Sequence, residues 1–193
     1  MKTDLREVRT RHALQQSLMS LVLESGYEPI TVSDIASRAG VARKTFYAHY
    51  PDKDALLIDC ITPQLTTLLQ SISNTDVNSL LVDNKPASYS AFKYVQENAA
   101  FFRAMLSDHG SAGFYSYILK IMTQSSYQMH QAIWQTVPNP SVDPQLIAHF
   151  LAGALLNCII WWLNHDCNPS AESMAYTFSR LAAPGTIDVL GLD

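Results

Sequence analysis

The stretch that decides the fold is TVSDIASRAGVARKTFYAHYPDKDAL, Thr31–Leu56. Thr31 and Asp34 stand three apart, the spacing of a capping box. The threonine hydroxyl can accept from the third amide of a helix, while the carboxylate sits by the helix's positive end. The helix so opened runs from Val32 to Ala39 and stops at Gly40, a residue that tolerates the reversed backbone a tight turn needs. A second short helix, Arg43–His49, starts within three residues. Two short helices joined by a glycine-containing turn form the helix-turn-helix pattern. Ile35, Ala36 and Ala39 give the first helix a face on which the second can cross closely, and Val41 fills the corner. Phe46 and Tyr50, four apart, make the inner face of the second helix. Arg43, Lys44, Thr45, Tyr47 and His49 are left outward. Cations with hydroxyl and imidazole donors suit phosphates and base edges.

Working outward, residues 5–25 carry Leu14, Leu18, Leu21 and Val22 at helical spacing. Gly26 ends that helix, and Tyr27-Glu28-Pro29-Ile30 makes a short extended link. Pro51-Asp52-Lys53-Asp54 stops the helix-turn-helix and caps the next helix, which starts at Ala55. Pro63 predicts a kink or break near Thr62. The Asn/Asp/Ser-rich stretch 71–88 reads as the longest loop. Further helices are expected at about 87–97, 98–107, 112–136, 143–165 and 170–182, separated at His109-Gly110, Pro138-Asn-Pro140 and Asn168-Pro169. The fold class is therefore all-α, with about nine helices. A three-helix head over residues 1–53 precedes a larger helical bundle over 54–193.

Composition sets the outer bounds. The chain has 193 residues, 48% hydrophobic and 16% charged, enough for a sizeable core. Its net charge of −4 argues against coating nucleic acid along the whole length. The charges are unevenly spread: residues 1–53 hold eight Lys/Arg against six Asp/Glu, residues 54–193 five against eleven. A mildly basic head on an acidic body fits a protein that meets phosphate at one end. No apolar run is expected to reach the roughly 18–20 residues of a membrane span, and the N-terminus lacks a signal-peptide stretch. Cys60, Cys158 and Cys167 show no metal spacing, so no metal or cofactor is expected. Reduced thiols point to the cytoplasm, with Cys60 and Cys158 expected as small buried hydrophobes.

The body is rich in large soft side chains. Phe102, Met105, Phe114, Tyr117, Met122, Tyr127, His130, Trp134, Asn157 and Trp161 combine apolar walls with a few polar tips, as a small apolar or aromatic ligand requires. Plain core packing would use the same residues. The helix from Pro144 to His165 is apolar nearly all round and must be covered on more than one side. Ala148, Ala152, Gly153 and Ala154 would permit close approach. An enzyme is disfavoured: His165-Asp166-Cys167 lie adjacent at a helix end, and no oxyanion motif, phosphate loop or HExxH is present.

Over residues 8–60 this pattern resembles the TetR family of transcriptional regulators, in the turn, the Phe-Tyr-x-His-Tyr run and Gly26-Tyr27 ahead of it. The resemblance is looser beyond, where Trp161-Trp162-Leu163 and Asn168 to Met174 look like the last two helices of one branch. It implies a homodimer through the last two helices, reading palindromic double-stranded operator DNA and released by a small effector. It further implies that Thr31 and Ser33 meet phosphates, that Arg43, Lys44 and Thr45 face the major groove, that Tyr47 and His49 contact the DNA backbone, and that Lys53 holds a phosphate. Many members carry a small residue where Lys44 stands, so the paired cations imply a shifted base preference. A member without effector control, acting with a protein partner, fits the same residues.

Overall fold

The computed structural model of the protein describes residues 5–73, 86, 88–108, 110–136 and 142–190, with the backbone alone at positions 67–73, 130, 132–134, 136 and 187–190. Among the described residues there are nine helices and no strand. They are α1 (Leu5–Ser25), α2 (Val32–Arg38), α3 (Arg43–His49), α4 (Lys53–Ser73), α5 (Tyr89–Glu97), α6 (Ala99–Leu106), α7 (Ala112–Thr136), α8 (Pro144–Leu163) and α9 (Ala171–Leu190). The all-α expectation matches this architecture. The stretch expected as the longest loop begins inside α4, and its residues 74–85 and 87 lie outside those described, as do His109 and residues 137–141.

Three expectations need correction. Pro63 stands inside α4, which continues to Ser73 instead of breaking near Thr62. Ile61 and Leu65 on either side of it are both buried, so ending the helix there would expose apolar surface. The neighbouring Thr62 hydroxyl also donates to the Ile58 carbonyl at 2.6 Å. α9 likewise runs past the expected end at residue 182 and through Pro184 to Leu190. Finally, α8 is long and apolar enough by length and composition to cross a membrane. Gln145, His149 and Asn157 interrupt its apolar run, but it contains no Asp, Glu, Lys or Arg. Of the tested window, 39% is buried against the protein itself, and Leu146, Phe150 and Trp161 are left exposed on the helix.

The chain divides into two compact units, Met1–Leu65 with Ala100–Tyr117, and Thr66–Ala99 with Ile118–Asp193. In the first, α1 packs on α2 and α2 on α3. Its core holds Leu14, Leu18 and Val22 of α1, Ile35 and Ala36 of α2, Phe46 of α3, and Leu56 and Leu57 of α4. Phe101, Phe102 and Phe114 add edge-on and tilted ring contacts, with centroids 5.5–6.3 Å apart. In the second unit, α9 packs against α5 and α8. Trp162, fully buried, meets Phe92 edge-on at 5.4 Å and donates its indole N–H to the Pro169 carbonyl at 2.6 Å. All three cysteines are free and half-buried. Burial, helped by the charge of Asp59, pushes the Cys60 thiol up to about 12, so it stays protonated and unreactive at neutral pH.

Candidate nucleic-acid interface

The interface is built from α2 and α3. Thr31 caps α2 through its side chain: the Asp34 amide donates to Thr31 Oγ1 at 3.2 Å, and the Thr31 amide donates to Asp34 Oδ2 at 2.9 Å. Thr31 Oγ1 in turn donates to Asp34 Oδ2 at 2.6 Å, so its hydroxyl proton is committed to that carboxylate. Ser33 lies exposed on the first turn. Gly40 takes φ +67° between the helices, with open space around a would-be Cβ. It is the left-handed backbone that disfavours any other residue there. The Val41 amide then donates back to the Ala36 carbonyl at 3.0 Å, which sets the turn.

On α3 the inward and outward sets separate as the spacing predicts. Phe46 is fully buried and Tyr50 nearly so, while Arg43, Lys44 and Tyr47 are exposed and Thr45 and His49 half-exposed. Tyr47, about half of it exposed, lies edge-on to the Phe46 ring with centroids 5.6 Å apart. Between Asp34 and Asp52 the chain carries three Arg/Lys and no carboxylate. The outward face of α3 is therefore a cationic and hydroxyl-bearing surface without competing acid.

Lys53 is placed differently from its neighbours. Its ammonium donates to the carbonyls of Tyr27 (3.1 Å), Glu28 (3.1 Å) and Ile30 (2.9 Å), and lies 4.3 Å from the centre of the Tyr27 ring. Asp54 accepts from the Tyr27 hydroxyl at 2.6 Å and from Ser111 Oγ at 3.0 Å. Ser111 Oγ also accepts the Phe114 amide at 3.1 Å, capping α7. Burial, then Asp54, drives the Tyr27 phenol well above its ordinary range, so it remains a donor.

A second polar cluster holds the end of α3. Asp59 accepts from Tyr50 Oη, from Arg11 Nη2 at 2.8 and 2.9 Å, and from Gln15 Nε2 at 2.9 Å. Burial alone would raise the Asp59 carboxyl, but the bonds from Tyr50, Arg11 and Gln15 together outweigh it and hold the group below the usual carboxylate range. A depressed folded-state value stabilises the fold above the unfolded value of about 4, and that stabilisation is lost as pH falls through the folded value. Wild type should therefore melt higher than Asp59→Asn at about pH 6, with the gap closing towards about pH 2. Thermal melts across that range check it, and a gap independent of pH would contradict it. Neither cluster was visible in the sequence. Arg11 and Asp59 are 48 residues apart, and the only local clue was Ser111 three residues before Phe114, an N-cap spacing.

The residues proposed to line a ligand site fall in both units. Phe102, Met105 and Phe114 are buried in the first unit, and Tyr117 there bonds Thr62 Oγ1 at 2.6 Å. Met122 and Tyr127 are half-buried in the second unit. The side chains of His130 and Trp134 lie outside those described. Asn157 and Trp161 are exposed on α8, where Asn157 donates to the Gly153 carbonyl at 2.8 Å and Trp161 stacks on His165 at 3.9 Å. Both fall on a strip with Leu146 and Phe150, which are 61% and 58% exposed.

A capped α2, a glycine turn and an acid-free cationic α3 define a helix-turn-helix DNA-binding regulator of transcription. Residues 18–60 match the family described as "Bacterial regulatory proteins, tetR family", and residues 83–183 match a "Transcriptional regulator C-terminal region" of the same group. The chain belongs to the TetR family. It is similar to the HTH-type transcriptional regulator YxbF of Bacillus subtilis (strain 168), with 26% identity over 184 residues. That alignment takes in 91% of this chain and 45% of YxbF, so the chain spans less than half of that relative's length. A TetR transcriptional regulator from Streptococcus agalactiae 2603V has the same fold, with TM-score 0.67, 20% identity, and coverage of 93% of this chain and 96% of that one. So has Thermus thermophilus FadR, a TetR family repressor in complex with lauroyl-CoA, with TM-score 0.62, 19% identity and coverage of 91% and 94%.

Proposed function

We propose that this regulator is a repressor that holds an inverted-repeat operator as a homodimer and releases it when a small effector binds its body. The observation that carries the reading is the outward face of α3, with Arg43, Lys44 and Tyr47 exposed over a buried Phe46. In this reading residues 1–53 meet DNA and residues 54–193 dimerise and hold the effector. Thr31 and Ser33 approach phosphates, Arg43, Lys44 and Thr45 face base edges, and Tyr47 and His49 contact the backbone. The apolar strip on α8 with exposed Tyr176 and Leu181 of α9 supports self-association through the last two helices. The lauroyl-CoA complex of T. thermophilus FadR supports a body able to take an apolar effector, with Phe102, Met105, Phe114 and Tyr117 of the first unit as candidate walls.

Selection of preferred duplexes from a random pool tests the operator, and recovery of an inverted repeat is the expected result. Compounds that release the selected duplex are then titrated with and without it. Linkage requires an effector to bind DNA-loaded protein more weakly by the same factor as it weakens DNA binding. Lys44 and Tyr47 should respond differently. Lys44→Ala should cost about 1–3 kcal/mol and relax preference at one base pair. Tyr47→Phe should weaken all sequences alike, because phosphate contacts carry no sequence information. Binding of both variants to selected and random duplexes decides this. Equal losses on the two duplexes for Lys44→Ala would remove Lys44 from base readout.

A further inference from the structure

We infer that Lys53 is a positioning residue for DNA recognition, not a phosphate contact: its ammonium ties the link between α1 and α2 to the start of α4 and so fixes where α2 begins. The inference rests on the DNA-reading role of α2 and α3. Carbonyls of Tyr27, Glu28 and Ile30 converge on one point. Three acceptors so close repel one another, and an ammonium with three N–H donors answers all of them. The Tyr27 ring face adds attraction for the cation from a fourth side. Tyr27 and Ile30 are themselves nearly fully buried, so the link cannot readily turn these carbonyls to water.

The next residue after this link is Thr31, the cap of α2, and α2 carries α3 by packing. The adjacent Asp54 fastens the same tyrosine from its other end, through the hydroxyl. Consecutive residues at the start of α4 therefore grip Tyr27 at backbone, ring and hydroxyl. With three N–H groups directed at three carbonyls, the Lys53 ammonium would have to let go of the link before it could bond a phosphate.

The test uses the full chain as wild type, Lys53→Gln, Lys53→Arg and Arg43→Gln. Binding to a labelled random-sequence duplex and to the duplex selected by wild type is followed by fluorescence anisotropy over a salt series. Lys53→Gln should lose roughly ten-fold more affinity for the selected duplex than for the random one, because a misplaced reading surface harms specific contacts first. Its slope of log affinity against log salt should stay that of wild type. Lys53→Arg, which keeps the cation and its donors, should recover part of the selected-duplex affinity. Equal losses on both duplexes, with the slope reduced by about 0.9, would mean a lost phosphate contact and overturn the inference.

If Lys53→Gln does not fold, the wild-type Lys53 ammonium resonance gives the answer. Slow proton exchange that persists when duplex is added supports the clamp, and a large shift on adding duplex overturns it. Arg43→Gln keeps the two readings apart. If it leaves the salt slope unchanged, the assignment of α3 to DNA fails, whereas the clamp is still judged by the Lys53 ammonium.

Discussion

Phe46→Ala is expected to unfold the DNA-reading head. The ring is fully buried between α3 and its neighbours and touches the rings of Tyr47 at 5.6 Å and Tyr50 at 6.0 Å. Removing a buried phenylalanine costs about 3–5 kcal/mol, through lost transfer energy and the cavity left behind. That is a large part of the roughly 5–15 kcal/mol that holds an ordinary domain together. α2 and α3 are only seven residues each, too short to persist without tertiary packing. The substitution should therefore abolish binding to selected and random duplexes together, unlike Lys44→Ala. Urea denaturation followed by circular dichroism should show an early transition absent from wild type. A loss below about 1 kcal/mol would mean that α3 is held mainly by the polar cluster around Asp59.

Phe150→Glu is expected to give a monomer and to abolish tight operator binding at the same time. Phe150 projects from α8 with Leu146 and Trp161, an apolar strip that a lone subunit leaves in water. If two copies cover that strip, a carboxylate at its centre must be desolvated without a partner, once per subunit, at several kcal/mol each. A regulator that reads two half-sites binds weakly once its halves separate, so an affinity loss of about 100-fold or more for the inverted repeat should accompany dissociation. Sedimentation and anisotropy measured on one preparation check both effects. A Phe150→Glu protein that stays dimeric would move the interface off α8, and Leu181→Glu on α9 would then locate it.

The sequence determined what is set within a few residues. Thr31 and Asp34 stand at the spacing that caps a helix, Gly40 supplies a left-handed turn, and the four-residue step from Phe46 to Tyr50 gives α3 its inner face. These effects act through neighbouring backbone groups, so they are legible wherever they occur, and with the apolar periodicity of α1 they yielded the all-α fold. The outward set on α3 was legible for the same reason: a side chain's face on a short helix follows from its spacing. Only the tertiary structure decided how local signals fare against distant ones. Pro63 reads as a point where the helix kinks or breaks, and the last helix was expected to end at about residue 182. Yet burial of Ile61 and Leu65 carries α4 through Pro63, and α9 runs on through Pro184 to Leu190. The family resemblance implies that Lys53 holds a phosphate, but folding brings three carbonyls from residues 23 to 26 positions earlier onto its ammonium. Arg11 of α1, Tyr50 just after α3 and Asp59 of α4 meet with no spacing to announce it. Local preferences are worth a few tenths to about 3 kcal/mol per residue. Burial and convergent polar bonds act across the chain at the same scale, and no window of sequence contains both partners.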